Sequence, residues 1–424
     1  MPAIPATAAD TETAAPLAPP AHRDGNVLRW LAAYTVSLVG DGIYFLALGW
    51  SAQRAGSPAE VGLVMAAGGV PRAVLMLGGG VIADRFDPRR VILGSDALRC
   101  ALILSVAAAV ALTTPALWLL VAVALVFGAV DALFVPAVGA LPARVTSPDQ
   151  LARVTALRSL AMRIGQIAGP PIGGLAMGLG GPSAAFTTAG VLFALSLPLL
   201  LTVRIRPLDA PAEAARATGT VRSDLVDGLR YLRGHRLIGP LMLAGGISEL
   251  CLNGTLNVGM VLLNAERGWG PSGYGWIIAG FGVGASASAA LLALAGWVPR
   301  AGLSLSVSLL VASASAAGLG LVPSLWAAVA LAVTAGLAAG TFGSLSNTLV
   351  QTSADPAYLG RVVSVLMLSS LGLAPLAYPV VGAAIGAWGS APVFLACGAC
   401  GCLGLVFLLA SPAVRRAELP RRAR

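Results

Sequence analysis

Apolar runs of roughly twenty residues follow one another along this chain, each closed by a short loop, and no other feature constrains the fold as much. A helix of about 20 apolar residues crosses the ~30 Å of hydrocarbon in a bilayer. Chain inside hydrocarbon must satisfy its own backbone polar groups, so such runs form helices. They lie near 27–50, 59–83, 91–113, 117–140, 153–178, 184–203, 237–264, 272–296, 301–321, 325–349, 360–386 and 391–410, about twelve spans. The composition agrees, with 57% hydrophobic and 11% charged residues, where soluble domains carry about 25% charged. An ordinary soluble enzyme is excluded, and an all-α integral membrane protein is predicted.

The loop at Gly78–Arg90, GGGVIADRFDPRR, orients the rest. Asp84, Arg85, Asp87, Arg89 and Arg90 cannot sit in hydrocarbon, so a helix leaves the bilayer there. Arg-rich short loops stay cytoplasmic. Alternation from this point puts Arg144, Arg153, Arg204 to Arg236, Arg300, Arg361 and the tail Arg415 to Arg424 on the same side, against only Arg54 and Arg267 on the other. Both termini are therefore predicted cytoplasmic. Trp50, Trp118, Trp269, Trp297, Trp326 and Trp388 lie near predicted helix ends, as an aromatic belt would. The net charge of +9 is spread over these loops, which is the positive-inside pattern and not a nucleic-acid-binding face. All of the basic residues are arginine.

Residues 1–26 read as a disordered cytoplasmic tail, since no basic stretch precedes an apolar core as in a signal peptide. Residues 204–236 interrupt the spans six and six as a cytoplasmic linker whose second part, Ser223 to Arg236, reads as a short amphipathic surface helix. This divides the chain into bundles at 27–203 and 237–410, with a basic tail at 411–424. The halves repeat. Arg153, Val154, Pro171, Gly174 and Gly178 match Arg361, Val362, Pro379, Gly382 and Gly386; Val61-Gly62-Leu63 matches Tyr274-Gly275-Trp276 more weakly. Duplicated halves are how many secondary transporters build two bundles that rock about a central site.

These features resemble the major facilitator superfamily. Gly80-Val-Ile-Ala-Asp84-Arg85-Phe-Asp-Pro-Arg89-Arg90 resembles its motif A, with Asp87 and Pro88 in place of the commoner Gly and basic residue, a variant familiar in the drug-efflux branch that includes enterobactin exporters and macrolide pumps. The stretch Gly165, Gly169, Pro170, Pro171, Gly173, Gly174 resembles motif C, associated with antiporters. The resemblance implies two pseudo-symmetric six-helix bundles and a cytoplasmic gate. In that gate Asp84 faces the start of the eleventh helix near Arg361, and Arg85 with Arg89 or Arg90 joins the contact.

Ionisable residues inside spans are the candidate site, because each costs roughly 2.5–3.5 kcal/mol at a helix centre unless paired or hydrated. They are Asp41, Arg72, Asp131, Arg158, Arg163 and Glu249. Trp30, Tyr34, Ser37, Asp41 and Tyr44 form one stripe on the first helix. Asp41 reads either as a protonatable carboxylate facing a cavity or as a structural partner of Arg72. Glu249, Asn253 and Asn257 share a face of the seventh span, which reads as cavity lining or, less favoured, as interhelical packing, and Asp41 or Glu249, or both, would exchange the proton. Asp131 reads either as a site for a cation or proton or, the favoured reading, as a partner of Arg158 or Arg163. Asp96 and Arg99 read as a local bridge supporting the motif A loop. Gln166, Thr341, Ser344 and Thr348 are lesser cavity candidates. Cys397, Cys400 and Cys402 read as packing residues and not a metal site, and no cofactor is expected.

No catalytic constellation and no phosphate-binding P-loop is present, so an enzyme and an ATP-driven pump within this chain are not expected. The reading is a secondary active transporter, a monomer in a bacterial plasma membrane, exporting small amphipathic compounds such as drugs, antibiotics or siderophore-like metabolites in exchange for protons. The alternative is uptake or facilitated diffusion of a small metabolite. A sensor or scaffold on the same fold is disfavoured, because the chain shows no soluble signalling domain.

Overall fold

The computed structural model describes residues 21–85, 88–113, 116–205, 221–295, 298–355, 358, 362, 365 and 374–418, side chains within 76–88 and 221–226 and that of 374 excepted. Every regular element among them is helical. Helices α1 (Gly25–Ala55), α2 (Pro58–Arg85), α3 (Pro88–Leu112) and α4 (Leu117–Ala140) are followed by α5 (Leu151–Leu201). The surface helix α6 (Val221–Gly234) precedes α7 (Ile238–Glu266), α8 (Gly270–Ala295), α9 (Ala301–Leu319), α10 (Leu325–Ser353), α11 (Ala374–Trp388) and α12 (Ser390–Ala410). Nine stretches among the described residues are long and apolar enough to cross a membrane. The predicted span 360–386 is described as a helix only from Ala374 on.

α5 contains two of the predicted spans. Its 51 residues would reach about 76 Å as one rod, far beyond a bilayer. The helical path breaks at Gly180 and Gly181, where φ at Gly181 is 68°, a conformation that glycine adopts without a Cβ clash. Gly165, Gly169 and Gly173 on the first arm, and Ala189 and Phe193 on the second, all pack against residues 38–43 of α1. The arms therefore lie side by side, and the chain reverses at the two glycines.

Side chains such as Leu112, Leu179 and Leu294 are more than four-fifths exposed, which suits contact with lipid. Trp118, Trp326 and Trp388 are exposed near helix ends, as a belt requires. Trp50 departs from that expectation: α1 continues to Ala55, and Trp50 is buried inside the bundle. α6 lies where an amphipathic helix was predicted. Tyr231 stacks on Tyr358 at 4.6 Å and accepts a hydrogen bond from the Asp355 amide, which fixes the helix to the second half.

One apolar core runs through both halves at one end of the molecule, joining Ile43, Tyr44, Val61 and Phe186 to Val258, Ile277, Ile385 and Phe394. Toward the other end the cores are separate, one around Trp30, Phe134 and Val154, the other around Leu241, Leu305 and Leu345. The joined end is sealed by backbone contacts that occur twice. A methyl group at Gly62 of α2 would lie 2.8 Å from Pro379 Cα and would also strike the Tyr378 carbonyl of α11. One at Gly275 of α8 would lie 2.9 Å from Pro171 Cα of α5 and 2.5 Å from the Pro170 carbonyl. In return, Gly382 of α11 abuts the Pro58 carbonyl of α2, and Gly174 of α5 lies against the Pro271 carbonyl at the start of α8. Further in, Gly69 meets Pro375, and Gly282 meets Ile167. The repeated Pro and Gly positions of the two halves are thus the same contact, made once by each pair of helices.

Such an interface cannot accept a side chain at its glycines without separating the helices. Gly62→Leu and Gly275→Leu should each shift the molecule away from this closed arrangement. Spin labels on Ala59→Cys and Trp388→Cys, with the native cysteines replaced by serine, should then report longer distances than with glycine in place. An unchanged distance distribution in both variants would refute the account of the seal.

Candidate functional site

The polar residues of the first half are brought together by close helix contacts. A methyl group at Gly128 of α4 would collide with the Gly68 backbone of α2, so these helices touch directly. One turn further along both, Arg72 Nε lies 3.1 Å from Asp131 Oδ2. The predicted partners are thereby corrected: Arg72 does not pair with Asp41, and Asp131 pairs with neither Arg158 nor Arg163. The reason is that α2 presents Arg72 to α4, while Asp41 of α1 is reached by the long Arg99 side chain of α3.

On α3, Arg99 Nη1 lies 3.0 Å from Asp41 Oδ1, and its Nη2 lies 3.7 Å from Asp96 Oδ1. Asp96 also accepts hydrogen bonds from Ser37 at 3.2 Å and Ser196 at 2.6 Å. Arg99 and Asp96 have no exposed surface. The guanidinium stands 3.7 Å from the Phe134 ring centre, with Phe127 and Phe193 at 5.7 and 5.6 Å. A desolvated cation over aromatic faces gains about 2 kcal/mol or more, which helps offset the loss of water. Asp96 and Arg99 do form the expected local bridge, but with no exposed surface. They are the buried centre of a charge network that reaches the cavity at Asp41. Their depth was readable: Arg99 stands eleven residues into α3, about 16 Å from its start.

The stripe on α1 divides accordingly. Trp30 stacks on Tyr34 at 6.2 Å, and Tyr44 stacks on Phe127 at 3.8 Å. Trp30 and Ser37 are buried within the first half, whereas Tyr34, Asp41 and Tyr44 border open space. That space is a cavity with two lobes of about 380 and about 500 Å³. The lobes share Phe45, Arg72, Asp131, Gln166 and Asn257, so the Arg72–Asp131 pair stands where they meet. The smaller lobe reaches Asn253 and Tyr378; the larger one is bordered by Tyr34, Asp41, Phe134, Arg158, Arg163, Tyr274 and Phe281. Residues from both halves thus line one chamber.

In α7 the predicted face is a hydrogen-bonded ladder. Asn253 Nδ2 donates to Glu249 Oε1 at 2.9 Å, and Asn257 Nδ2 donates to the Asn253 carbonyl at 3.0 Å. The helix widens into a π-turn at Thr255–Gly259, a distortion common where helices serve a site. Glu249 is exposed and lies beyond both lobes. Tyr378 was not anticipated from the sequence; its position in the repeat, beside Pro379, was the available signal.

The motif C-like segment does structural work on two faces. Gly165, Gly169 and Gly173 let α5 lie against α1, while Pro170, Pro171 and Gly174 meet α8. Of the motif A group, Arg89 donates to the Leu201 carbonyl at the end of α5 at 2.6 Å, and Arg90 is exposed. Gly80, Asp84 and Arg85 fall on α2, but their side chains, and Arg361 as a whole, lie outside the described residues, as does the expected gate contact.

Comparison with known proteins places this architecture. The chain is similar to the multidrug efflux pump Tap of Mycobacterium tuberculosis, 28% identical over 93% of this chain and 95% of the relative. It is also similar to the enterobactin exporter EntS of Escherichia coli, 26% identical over 72% of this chain and 71% of that protein. Among solved structures, the nucleoside transporter NupG superposes with a TM-score of 0.70 at 15% identity, covering 93% of this chain and 100% of that one. A bacterial homologue of the lysosomal transporter Spinster, in an inward-facing occupied conformation, gives 0.71 at 16% identity over 94% of this chain and 98% of that one. The family model of the Major Facilitator Superfamily matches residues 30–370. The chain therefore belongs to the major facilitator superfamily, as a multi-pass membrane transporter.

Proposed function

We propose that this transporter exports small amphipathic compounds in exchange for protons by alternating access, with Asp41 as the coupling carboxylate. The observation that carries the reading is the position of Arg99 between two acids. Asp41 borders the cavity, whereas Asp96 is buried behind it. A proton arriving on Asp41 removes its charge and leaves Arg99 to Asp96, which Ser37 and Ser196 already hold in place. The buried arginine keeps a partner in both protonation states, so the network can cycle without stranding a charge in hydrocarbon. Each proton supplies about 2.3 kcal/mol per 100 mV of membrane potential and about 1.4 kcal/mol per pH unit.

Export as the direction is supported by the names of the relatives, an efflux pump and an exporter. It is also supported by the side on which the halves part. The seal lies at the end carrying Gly56 and Gly268, and the halves diverge toward the end carrying the Arg-rich loops, which the positive-inside rule makes cytoplasmic. A chamber reached from the cytoplasm is where an exporter would load. On this reading Asp84 and Arg85, with Arg89 or Arg90 and Arg361, form the latch that closes the cytoplasmic end in the opposite state, and both termini are cytoplasmic.

Two substitutions test the coupling. Asp41→Asn should reduce pH-driven efflux of a fluorescent amphiphile from everted vesicles by roughly tenfold or more, the scale of a lost proton-coupled step, with insertion unchanged. Full pH-driven efflux in that variant would remove Asp41 from the mechanism. Glu249→Gln should keep the pH response, because Glu249 bonds to Asn253 and has no arginine partner among the described residues. Loss of the response there would move the coupling site to α7.

A further inference from the structure

We infer that the preferred cargo is an anionic amphiphile whose acidic group docks between Arg158 and Arg163. This rests on reading the cavity as the transport path and adds the charge of what passes through it. The acids on the chamber wall are already committed: Asp41 to Arg99 and Asp131 to Arg72. Arg158 and Arg163, both half-buried on α5, have no carboxylate within 4.0 Å among the described residues. Arg158 stands 5.8 Å from the Tyr34 ring centre, and its Nε is buried without a hydrogen-bond partner there. Around the chamber, Asp41, Asp96 and Asp131 face Arg72, Arg99, Arg158 and Arg163, three negative groups against four positive ones.

Two guanidiniums in an apolar setting need a counter-charge, and a carboxylate, sulfonate or acidic phenol matches their planar donors. Beside the paired charges, Gln166 and Asn257, much of the wall is apolar and aromatic, with Leu38, Phe45, Phe134, Ile278 and Phe281 facing the larger lobe. Its volume of about 500 Å³ suits one drug-sized molecule. An ammonium head would meet two like charges in the same place, which selects against cations. The energetics also fit: an anion leaving and a proton entering both carry positive charge inward, so the membrane potential drives both movements.

Matched ligands test this. Naphthalene, biphenyl and indole, each carrying a carboxylate, a carboxamide or an aminomethyl group, would be titrated against the purified protein. The readouts are thermal unfolding and displacement of radiolabelled 2-naphthoate, with no ion gradient present. The acids should bind more tightly than their amides, and the amines least. Arg158→Gln and Arg163→Gln should each weaken the acids by roughly tenfold, the loss of one charge-assisted contact, and leave the amides unchanged, whereas Arg163→Lys should retain the acid preference. Acids binding no better than amides, or an acid preference that survives the double Gln variant, would overturn the inference. Because binding is read without a gradient, its failure is distinct from a failure of proton-driven flux.

Discussion

Backbone against backbone, at glycines facing prolines across the two halves, is the constraint on which the rest of this molecule depends. Gly62 on Pro379 and Gly275 on Pro171 bring four helices into contact at one end. With one end closed so tightly, the halves separate toward the other, and the space between becomes the chamber. The same device acts within the first half: Gly68 against Gly128 sets the distance at which Arg72 reaches Asp131, and Gly169 against Gly42 seats α5 on α1. Lipid provides little hydrophobic drive for helices to associate, so close packing of small residues carries much of the cohesion.

Much of this was legible in the sequence. The apolar runs, the turn at Gly180–Gly181, the surface helix ending near Gly234 and the ladder of Glu249, Asn253 and Asn257 all follow from hydropathy, glycine and helical spacing. The matched Pro and Gly positions of the halves were visible too. The sequence could not say that Gly62 touches Tyr378 and not a helix of its own half. Periodicity gives the face of a helix and never its neighbour, and this is why the pairings expected for Asp131, and the one with Arg72 that stood as an alternative for Asp41, differ from those found. The second partner of Arg99, Asp41, was hidden for a related reason. An acid and a base three residues apart give a local bridge, but not the second acid or the phenylalanines that other helices bring to it.

The first half holds most of the ionisable chemistry, while the second offers amides, hydroxyls and the acid Glu249. The duplication of the scaffold therefore does not extend to the polar groups on the chamber wall. Helix packing repeats with its glycines and prolines, whereas Arg99 and Asp131 have no charged counterparts in the second half, and the counterpart of Asp41, Glu249, lies beyond both lobes. A common frame thus carries two unlike surfaces: one bears the charges, and the other presents mainly neutral hydrogen-bonding groups.

The absence of lysine from the whole chain has a bearing on the chamber. A guanidinium keeps its charge across any pH a cell meets, so the positive field from Arg72, Arg99, Arg158 and Arg163 is permanent. Acidification can alter only the opposing sign. Each carboxylate neutralised makes the interior more positive, and none of the four arginines can release a proton to compensate. The pocket is therefore a rectifier of charge, whose polarity is set by the fixed ions and whose strength alone answers to pH.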